Sequence, residues 1–223
     1  MSREPSRERP ILFSSPMVRA LLAGTKTQTR RVVKGAPEDW APVGPQWFAP
    51  TVIDRHGEEQ PGTERFGAGN ADGSEWIVCR HGTPGSRLWV RESLGYCSEY
   101  GHFFAADRTF LCSLFDNEEA QTGYSYECNM REGSVPSIHL PRRYSRITLE
   151  ITGVRVERLQ EISEADAGAE GAEPYRLPVH PAREGLRYVD GYHVLWEQIN
   201  GPGSWDANPW VWVLEFRRLE RKG

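Results

Sequence analysis

Long apolar segments are missing from this chain. No run of eighteen apolar residues occurs among its 223 residues, and the first ten, MSREPSRERP, are charged and contain proline. A helix that spans a bilayer needs about 20 apolar residues, and a secretory leader needs an apolar stretch after its basic start. The sequence therefore predicts a cytoplasmic protein without a membrane partner.

Closely spaced cysteines are missing as well. The four cysteines lie 15 to 18 residues apart: Cys79, Cys97, Cys112 and Cys128. Zinc ribbons and thiol redox sites use pairs only a few residues apart, and Cys79 with His81 has no second pair to complete a zinc site. We expect free thiols and no metal. Because no phosphate-binding loop or dinucleotide fingerprint occurs either, we also expect no cofactor.

Positive charge is not in excess, and lysine is scarce. The formal net charge is -4, which argues against a surface that binds nucleic acid everywhere but leaves room for a local basic cleft. Three of the 27 basic residues are lysines, namely Lys26, Lys34 and Lys222. Genome composition alone can favour arginine. In such a background, however, the lysine within GTKTQTRR, residues 24–31, is a functional candidate.

Helical patterns are few and short. Ser15 followed by proline predicts a helix start, and Gly24 predicts its end, because glycine adopts the left-handed conformation that closes helices. SEADAGAEG, residues 163–171, opens with a serine and has aspartate three residues later, which is a capping pattern. YHVLWEQIN, residues 192–200, has apolar residues at helical spacing. We therefore expect three short helices.

Alternating patterns predict four strands, at TQTRRVV (27–33), PGSRLWVRES (84–93), RITLEITGVRVERL (146–159) and NPWVWVLEFRRL (208–219). The third has the clearest alternation and predicts a long, bent central strand. Several strands with few helices, and without a regular β-α-β order, predict an α+β fold arranged as a small mixed β-barrel.

Two stretches interrupt this pattern within a predicted single domain, 1–223. The core covers about 10–33, 84–93 and 140–219, and the insertions cover about 34–83 and 94–139. Both insertions mix glycine, proline, charge and scattered aromatic residues without a sustained period, so we expect them to be irregular. One hairpin is expected in the second, within FFAADRTFLCSLF, residues 103–115.

Lys26 directly follows the first predicted helix. In an extended strand, Thr27, Thr29 and Arg31 point to one face, and Lys26, Gln28 and Arg30 point to the other. A lysine still in the turn can reach either face, so Lys26 and Thr29 can converge. The alternative is an exposed lysine that complements the negative end of the helix dipole, and periodicity alone favours this alternative.

Residues 24–31 resemble the signature of ASCH domains, G-x-K-x-x-[E/T]-x-R, through Gly24, Lys26, Thr29 and Arg31. The PGSRLWVRES strand, the stretch from 145 to 171 and the final SWDANPWVWVLEFRRL are similar to successive core elements of these proteins, notably of a bacteriophage and prophage-type branch. The resemblance implies a PUA-like β-barrel associated with RNA and modified nucleobases. The two insertions fall outside it.

Within that superfamily, the bacterial N4-acetylcytidine amidohydrolases use a lysine, a threonine and a glutamate. Their K-x-x-T spacing is matched by Lys26 and Thr29, and their glutamate falls on Glu170, eight residues after Ile162. Most ASCH proteins carry glutamate at the threonine position, so Thr29 favours the hydrolase subgroup. This chain is about twice as long as those enzymes. Without the resemblance, Glu170 reads as a solvated residue at a helix end.

The three residue types suit amide hydrolysis. The reaction needs a nucleophile, a base to activate it, and a proton donor for the leaving amine. Lys26 would serve as base if apolar and cationic neighbours lowered its pKa, Thr29 supplies a hydroxyl, and Glu170 carries protons or orients the base. The sequence leaves open which group attacks.

Arginines, one tryptophan and one glutamate on or beside the predicted strands are candidates for substrate binding: Arg31, Trp89, Arg91, Glu92 and Arg146. Guanidinium groups bind phosphates, aromatic faces stack on bases, and a carboxylate such as that of Glu92 accepts from the exocyclic amine of cytosine. Alternatively, Glu92 pairs with a neighbouring arginine, and PRRYSR, residues 141–146, is a solvated basic turn.

The sequence thus predicts recognition and hydrolysis of a modified nucleoside or nucleic acid, releasing acetate from N4-acetylcytidine. One alternative is a non-catalytic module that binds RNA or a modified base, and another is a ribonuclease. The expected partner is a modified nucleoside, single-stranded RNA or DNA. The sequence leaves the oligomeric state open.

Overall fold

A computed structural model describes residues 8–37, 39–114, 133–176 and 185–220. In chain order the strands and α-helices are β1 (Arg9–Leu12), α1 (Ser15–Ala23), β2 (Gln28–Val32), β3 (Pro42–Phe48), β4 (Thr51–Ile53), β5 (Glu59–Pro61), β6 (Arg65–Asn70), β7 (Trp76–Val78), β8 (Arg87–Arg91), β9 (Leu94–Cys97), β10 (Gly101–Phe104), β11 (Thr148–Arg158), α2 (Glu164–Ala169), α3 (Tyr188–Asn200) and β12 (Trp210–Leu219). Short 3-10 helices lie at Leu111–Ser113, Ser137–His139, Arg142–Tyr144 and Leu159–Glu161.

The chain divides into two compact units, each built from segments distant in sequence. The first unit comprises Met1–Thr27, Ser86–Glu150 and Arg217–Gly223, and the second comprises Gln28–Gly85 and Ile151–Phe216. The expectation of a single domain over 1–223 stays a prediction.

In the first unit, β8 pairs with β1 on one side and with the start of β11 on the other. The pairing with β1 is parallel, with Pro10 opposite Trp89, and the pairing with β11 is antiparallel, with Thr148 opposite Trp89. The β9–β10 hairpin packs its inward residues on the 3-10 helices. The buried residues of this cluster are Leu94, Phe104, Leu111, Val135, Leu140 and Tyr144.

In the second unit, the remainder of β11 is followed in strand order by β12 and then β2. Strands β12 and β2 are antiparallel, with Leu214 opposite Thr29. Helices α2 and α3 cover one apolar cluster, which contains Ile162, Tyr192 and Trp196, and a second cluster contains Trp40, Phe66 and Trp212. Strand β2 therefore lies beside a buried strand, and its first three residues are buried, whereas Arg31 is half-buried and Val32 is exposed.

The four strands and three helices expected for the core are confirmed, with small shifts at their ends. Ser14 rather than Ser15 occupies the N-cap position of α1, without a capping hydrogen bond from its side chain, and Gly24 ends the helix with φ 78°. Ser163 caps α2 by accepting from the backbone N–H of Asp166. Helix α3 starts at Tyr188, and its Ile199, expected on the apolar face, is 61% exposed.

The expectation that residues 34–83 are irregular is wrong. They form a three-stranded antiparallel sheet in the order β3-β6-β7 and a β4–β5 hairpin. The strands are short, and several are exposed on both faces, so no apolar alternation marks them. Glycines permit the close packing, because a Cβ on Gly67 would lie 2.3 Å from the carbonyl oxygen of Ile77.

The second insertion also contains a hairpin, which lies earlier than expected. Strands β9 and β10 pair from Leu94 opposite Phe104 to Cys97 opposite Gly101, before most of the expected segment 103–115. Within that segment the structure has one isolated bridge, between Phe103 and Phe110. Residues 115–132 of this insertion lie outside the described residues.

The α+β class is confirmed. The strand orders in the described part of the chain are open ones, in which β1 and β2 each have one neighbouring strand, so the pairings do not close a barrel. Among the described residues, no helix is both long enough and apolar enough to cross a membrane.

Candidate active site

Lys26 lies in the first unit, two residues after the left-handed Gly24. The backbone N–H groups of Thr25 and Lys26 both donate to the carbonyl of Ala20 and so continue the cap of α1. The lysine residue is 4% exposed, and its Nζ is 5.4 Å from the centroid of the Phe13 ring. The alternative of an exposed lysine at the helix end is therefore wrong. The Phe13 ring is thus one of the apolar neighbours of this amine.

Thr29 and Arg31 share one face of β2, as the strand alternation predicts. Thr29 is 2% exposed, and its Oγ1 accepts from Nη1 of Arg31 at 2.7 Å. The same Nη1 donates to the carbonyl of Arg30 at 2.9 Å. The guanidinium is thus fixed beside the hydroxyl. A positive donor on this oxygen favours its deprotonated form and would stabilise an alkoxide.

Gln28 and Arg30 share the opposite face of β2 and reach helix α2. Nε2 of Gln28 donates to the backbone carbonyl of Asp166 at 2.7 Å and to its Oδ1 at 3.0 Å. Arg30 is fully buried, and its Nη1 donates to Oε1 of Glu170 at 3.1 Å. Nε of Arg30 donates to Oε1 of Glu157 on β11 at 3.0 Å. One arginine thus joins β2, α2 and β11.

Glu170 directly follows α2 as its C-terminal cap and is 2% exposed. The reading of Glu170 as a solvated helix-end residue is therefore wrong. Burying a carboxylate is costly unless it is paired, and Arg30 supplies the pairing charge. The structure brings Glu170, Arg31 and Thr29 into the second unit. The convergence of Lys26 with them stays a prediction.

The buried groups around Glu170 influence one another electrostatically. Burial lowers the pKa of the Arg31 guanidinium, although the charges of Glu170 and Tyr192 oppose this. Burial would also lower the pKa of Arg30, but the carboxylates of Glu170 and Glu157 outweigh it and raise that pKa. Burial, together with the charge of Glu170, raises the pKa of the Tyr192 phenol well above its usual value. Tyr192 is therefore neutral at pH 7, and Arg30 is positive.

Glu92 and Arg146 are placed together in the first unit. The guanidinium of Arg146 donates to both carboxylate oxygens of Glu92, at 3.0 and 2.8 Å, and also to Asp107. It lies 3.9 Å from the centroid of the Phe104 ring. Burial raises the pKa of Glu92, although Arg146 opposes the shift. Glu92 thus pairs with a nearby arginine, the second of its two expected roles, and substrate binding by this pair stays a prediction.

Trp89 and Arg91 are in contact on β8. The guanidinium of Arg91 is 4.7 Å from the centroid of the buried Trp89 ring, and that of Arg142 is 5.9 Å from it. Nη1 of Arg91 donates to the carbonyl of Ile138 at 2.9 Å. Nε of Arg91 is buried without an acceptor among the described residues. Arg142 is more exposed and pairs with Glu8 at 2.7 Å.

Several residues of this arrangement were missed by the sequence reasoning, namely Gln28, Arg30, Glu157, Asp166 and Tyr192. The capping pattern includes Asp166 and the helical spacing includes Tyr192, but neither pattern identifies the residues that contact them. The partners of Arg30 lie 127 to 140 residues away in sequence. A local pattern carries no signal for such a contact.

Among the described residues, no group of three or more His, Cys, Asp or Glu side chains is placed to hold a metal ion. Cys79 and Cys97 are free thiols. The candidate site itself is built from buried amine, hydroxyl and carboxylate groups, with guanidinium groups beside them.

No family model matches the chain, and neither the curated proteins nor the solved structures compared with it include a match.

Proposed function

We propose that this protein hydrolyses the acetyl amide of N4-acetylcytidine, as a free nucleoside or within a nucleic acid, and releases acetate and cytidine. The observation that carries the proposal is the burial of all three signature residues, because Lys26, Thr29 and Glu170 are each at most 4% exposed. Burying polar and ionisable groups costs free energy unless they are paired, so three of them buried in one short motif and its partner helix favour a functional role. The resemblance to ASCH amidohydrolases supplies the reaction.

The proposed roles follow from the chemistry of each group. Lys26 acts as base and takes the proton of the Thr29 hydroxyl, whose oxygen attacks the acetyl carbon. The C–N4 bond breaks, the protonated Lys26 returns the proton to N4, and cytidine leaves, while Glu170 orients the base. Water then hydrolyses the acetyl ester on Thr29, releasing acetate and restoring the hydroxyl. Arg31 supports the attack, because it donates to Oγ1 of Thr29 and so stabilises negative charge there.

The role of Thr29 is tested with a matched pair of variants. Thr29→Val keeps the shape of the side chain and removes the hydroxyl, whereas Thr29→Ser keeps the hydroxyl. We expect Thr29→Val to lower kcat on the order of 10³-fold or more, and Thr29→Ser to stay within about tenfold of the wild type. Cytidine release is followed by chromatography, and the melting temperature of each variant shows whether it is folded.

Wild-type kcat in a folded Thr29→Val variant would remove the hydroxyl from the mechanism. Strand cleavage of RNA without cytidine release would instead support the ribonuclease alternative.

A non-catalytic nucleic-acid reader is the second candidate, favoured by the surface around Trp89. Arg142 and Arg143 are exposed, and their guanidinium groups lie over the rings of Trp89 and Tyr144. Guanidinium groups and aromatic rings together are used to bind single strands.

If the reader proposal holds, binding to single-stranded RNA weakens as salt rises, and replacing Arg142 and Arg143 with alanine weakens that dependence. The slope of log affinity against log salt changes by about 1.4, because each lost phosphate contact contributes about 0.7. Gel-shift titrations at several salt concentrations measure it. Replacing the exposed Arg55 and Arg65 with alanine removes the same charge and is the control. An equal effect of the control pair, or salt-independent binding, would contradict the reader proposal.

A further inference from the structure

The face of β2 opposite Thr29 holds the helix that presents Glu170. Gln28 contacts Asp166 through two hydrogen bonds, and Arg30 contacts both Asp166, at 3.4 Å, and Glu170, at 3.1 Å. All five residues belong to the second unit. A single strand therefore carries Thr29 on one face and the contacts to the Glu170 helix on the other.

The hydrogen bond from Gln28 goes to the same carbonyl that accepts the last backbone hydrogen bond of α2. The carbonyl of Asp166 accepts from Nε2 of Gln28 at 2.7 Å and from the backbone N–H of Glu170 at 2.8 Å. Helix α2 has six residues, and an isolated helix this short is unstable in water. Its position is therefore set by its tertiary contacts, and this one is made at the carbonyl that accepts from the backbone N–H of Glu170.

Asp166 is held from several elements at once. Besides Gln28 and Arg30 on β2, it accepts from Nη2 of Arg155 on β11 at 3.0 Å. Its own backbone N–H donates to Oγ of Ser163. Gln28 is the neutral member among these side-chain donors to the carboxylate. Replacing Gln28 removes donors without leaving a buried charge unbalanced. The position of α2 can therefore be tested there without changing the charges around it.

We propose that Gln28 is a positioning residue, which fixes Glu170 relative to Thr29 by binding the carbonyl of Asp166. This inference rests on the proposed function, in which Glu170 orients the base. Catalytic groups must lie close to their productive geometry, and a displacement of about 1 Å can cost about 100-fold in rate. Gln28 acts through α2 and is not assigned a contact with the substrate.

The test compares Gln28→Met with Gln160→Met in the full chain. Methionine keeps the length of the side chain and removes the donors. Gln160 is a matched control, because its Nε2 also donates to a backbone carbonyl, that of Trp205, at 3.0 Å. We expect Gln28→Met to lower kcat for N4-acetylcytidine by about 10- to 100-fold with KM within about twofold, and Gln160→Met to change neither.

A second readout does not depend on activity. Amide hydrogen exchange at Glu170, followed by NMR, is expected to accelerate on the order of tenfold in Gln28→Met and to stay unchanged in Gln160→Met. If the exchange rate at Glu170 stays at the wild-type value, or if exchange accelerates while kcat is unchanged, the positioning role is overturned. An inactive wild-type protein would overturn the proposed function instead, and the exchange rates alone would then decide whether Gln28 holds α2.

Discussion

Replacing Lys26 with methionine lowers the rate of N4-acetylcytidine hydrolysis by about 10²- to 10⁴-fold if the amine is the general base, since this is the usual contribution of such a group. Methionine retains an unbranched apolar side chain against Phe13, whose ring centroid lies 5.4 Å from Nζ. The loss therefore reports on the amine more than on packing. Initial rates at saturating substrate measure the effect on kcat.

Lys34 supplies the matched control for this substitution. It is exposed, and it is the lysine nearest to Lys26 in the sequence. Lys34→Met is expected to keep wild-type kcat. If folded Lys26→Met were as active as Lys34→Met, the lysine would have no part in the chemistry, and the match to the amidohydrolase signature would be coincidental.

Replacing Arg30 with methionine destabilises the protein by about 3–5 kcal/mol. Arg30 is fully buried and pairs with Glu157 and with the buried Glu170, as well as with Asp166. Methionine fills similar volume but leaves these carboxylates without their shared cation, and breaking one side of a buried ion pair costs about this much. Urea unfolding of both proteins at pH 7 measures the difference in free energy of unfolding.

Arg155 belongs to the same network and makes a matched comparison. It pairs with Glu157, Asp166 and Glu215, but its side chain is 33% exposed, so water screens these pairs. Arg155→Met is therefore expected to cost about 1 kcal/mol or less. Equal costs at the two positions would mean that the burial of Arg30 does not determine its contribution to stability.

The strands that form the candidate site follow from local patterns. The alternation in residues 146–159 predicts β11, and its inward residues Ile147, Leu149 and Ile151 are buried. Gly24 predicts the end of α1, and with it the place where Lys26 leaves the helix. The pairing of Thr29 with Arg31 follows from the two-residue period of β2. These features depend on residues that are close in sequence, so local patterns are enough to predict them.

The remaining features depend on contacts that local patterns do not encode. The strands in residues 34–83 are held by cross-strand packing, such as the stacked rings of Phe48 and Trp76, rather than by alternation on a buried face. The burial of Lys26 and Glu170 reverses the reading that periodicity alone favours, since tertiary packing decides exposure. No local pattern marks Arg30 as part of the site, because its carboxylate partners lie on β11 and directly after α2.

The most direct test of the account is a time course of wild-type protein with N4-acetylcytidine, in which cytidine and acetate are both quantified. If the protein hydrolyses the amide, the two products appear in equal amounts, at a rate proportional to protein concentration, and the rate falls in Thr29→Val. If folded wild-type protein releases neither product while it binds N4-acetylcytidine or RNA, the central claim of amide hydrolysis is contradicted.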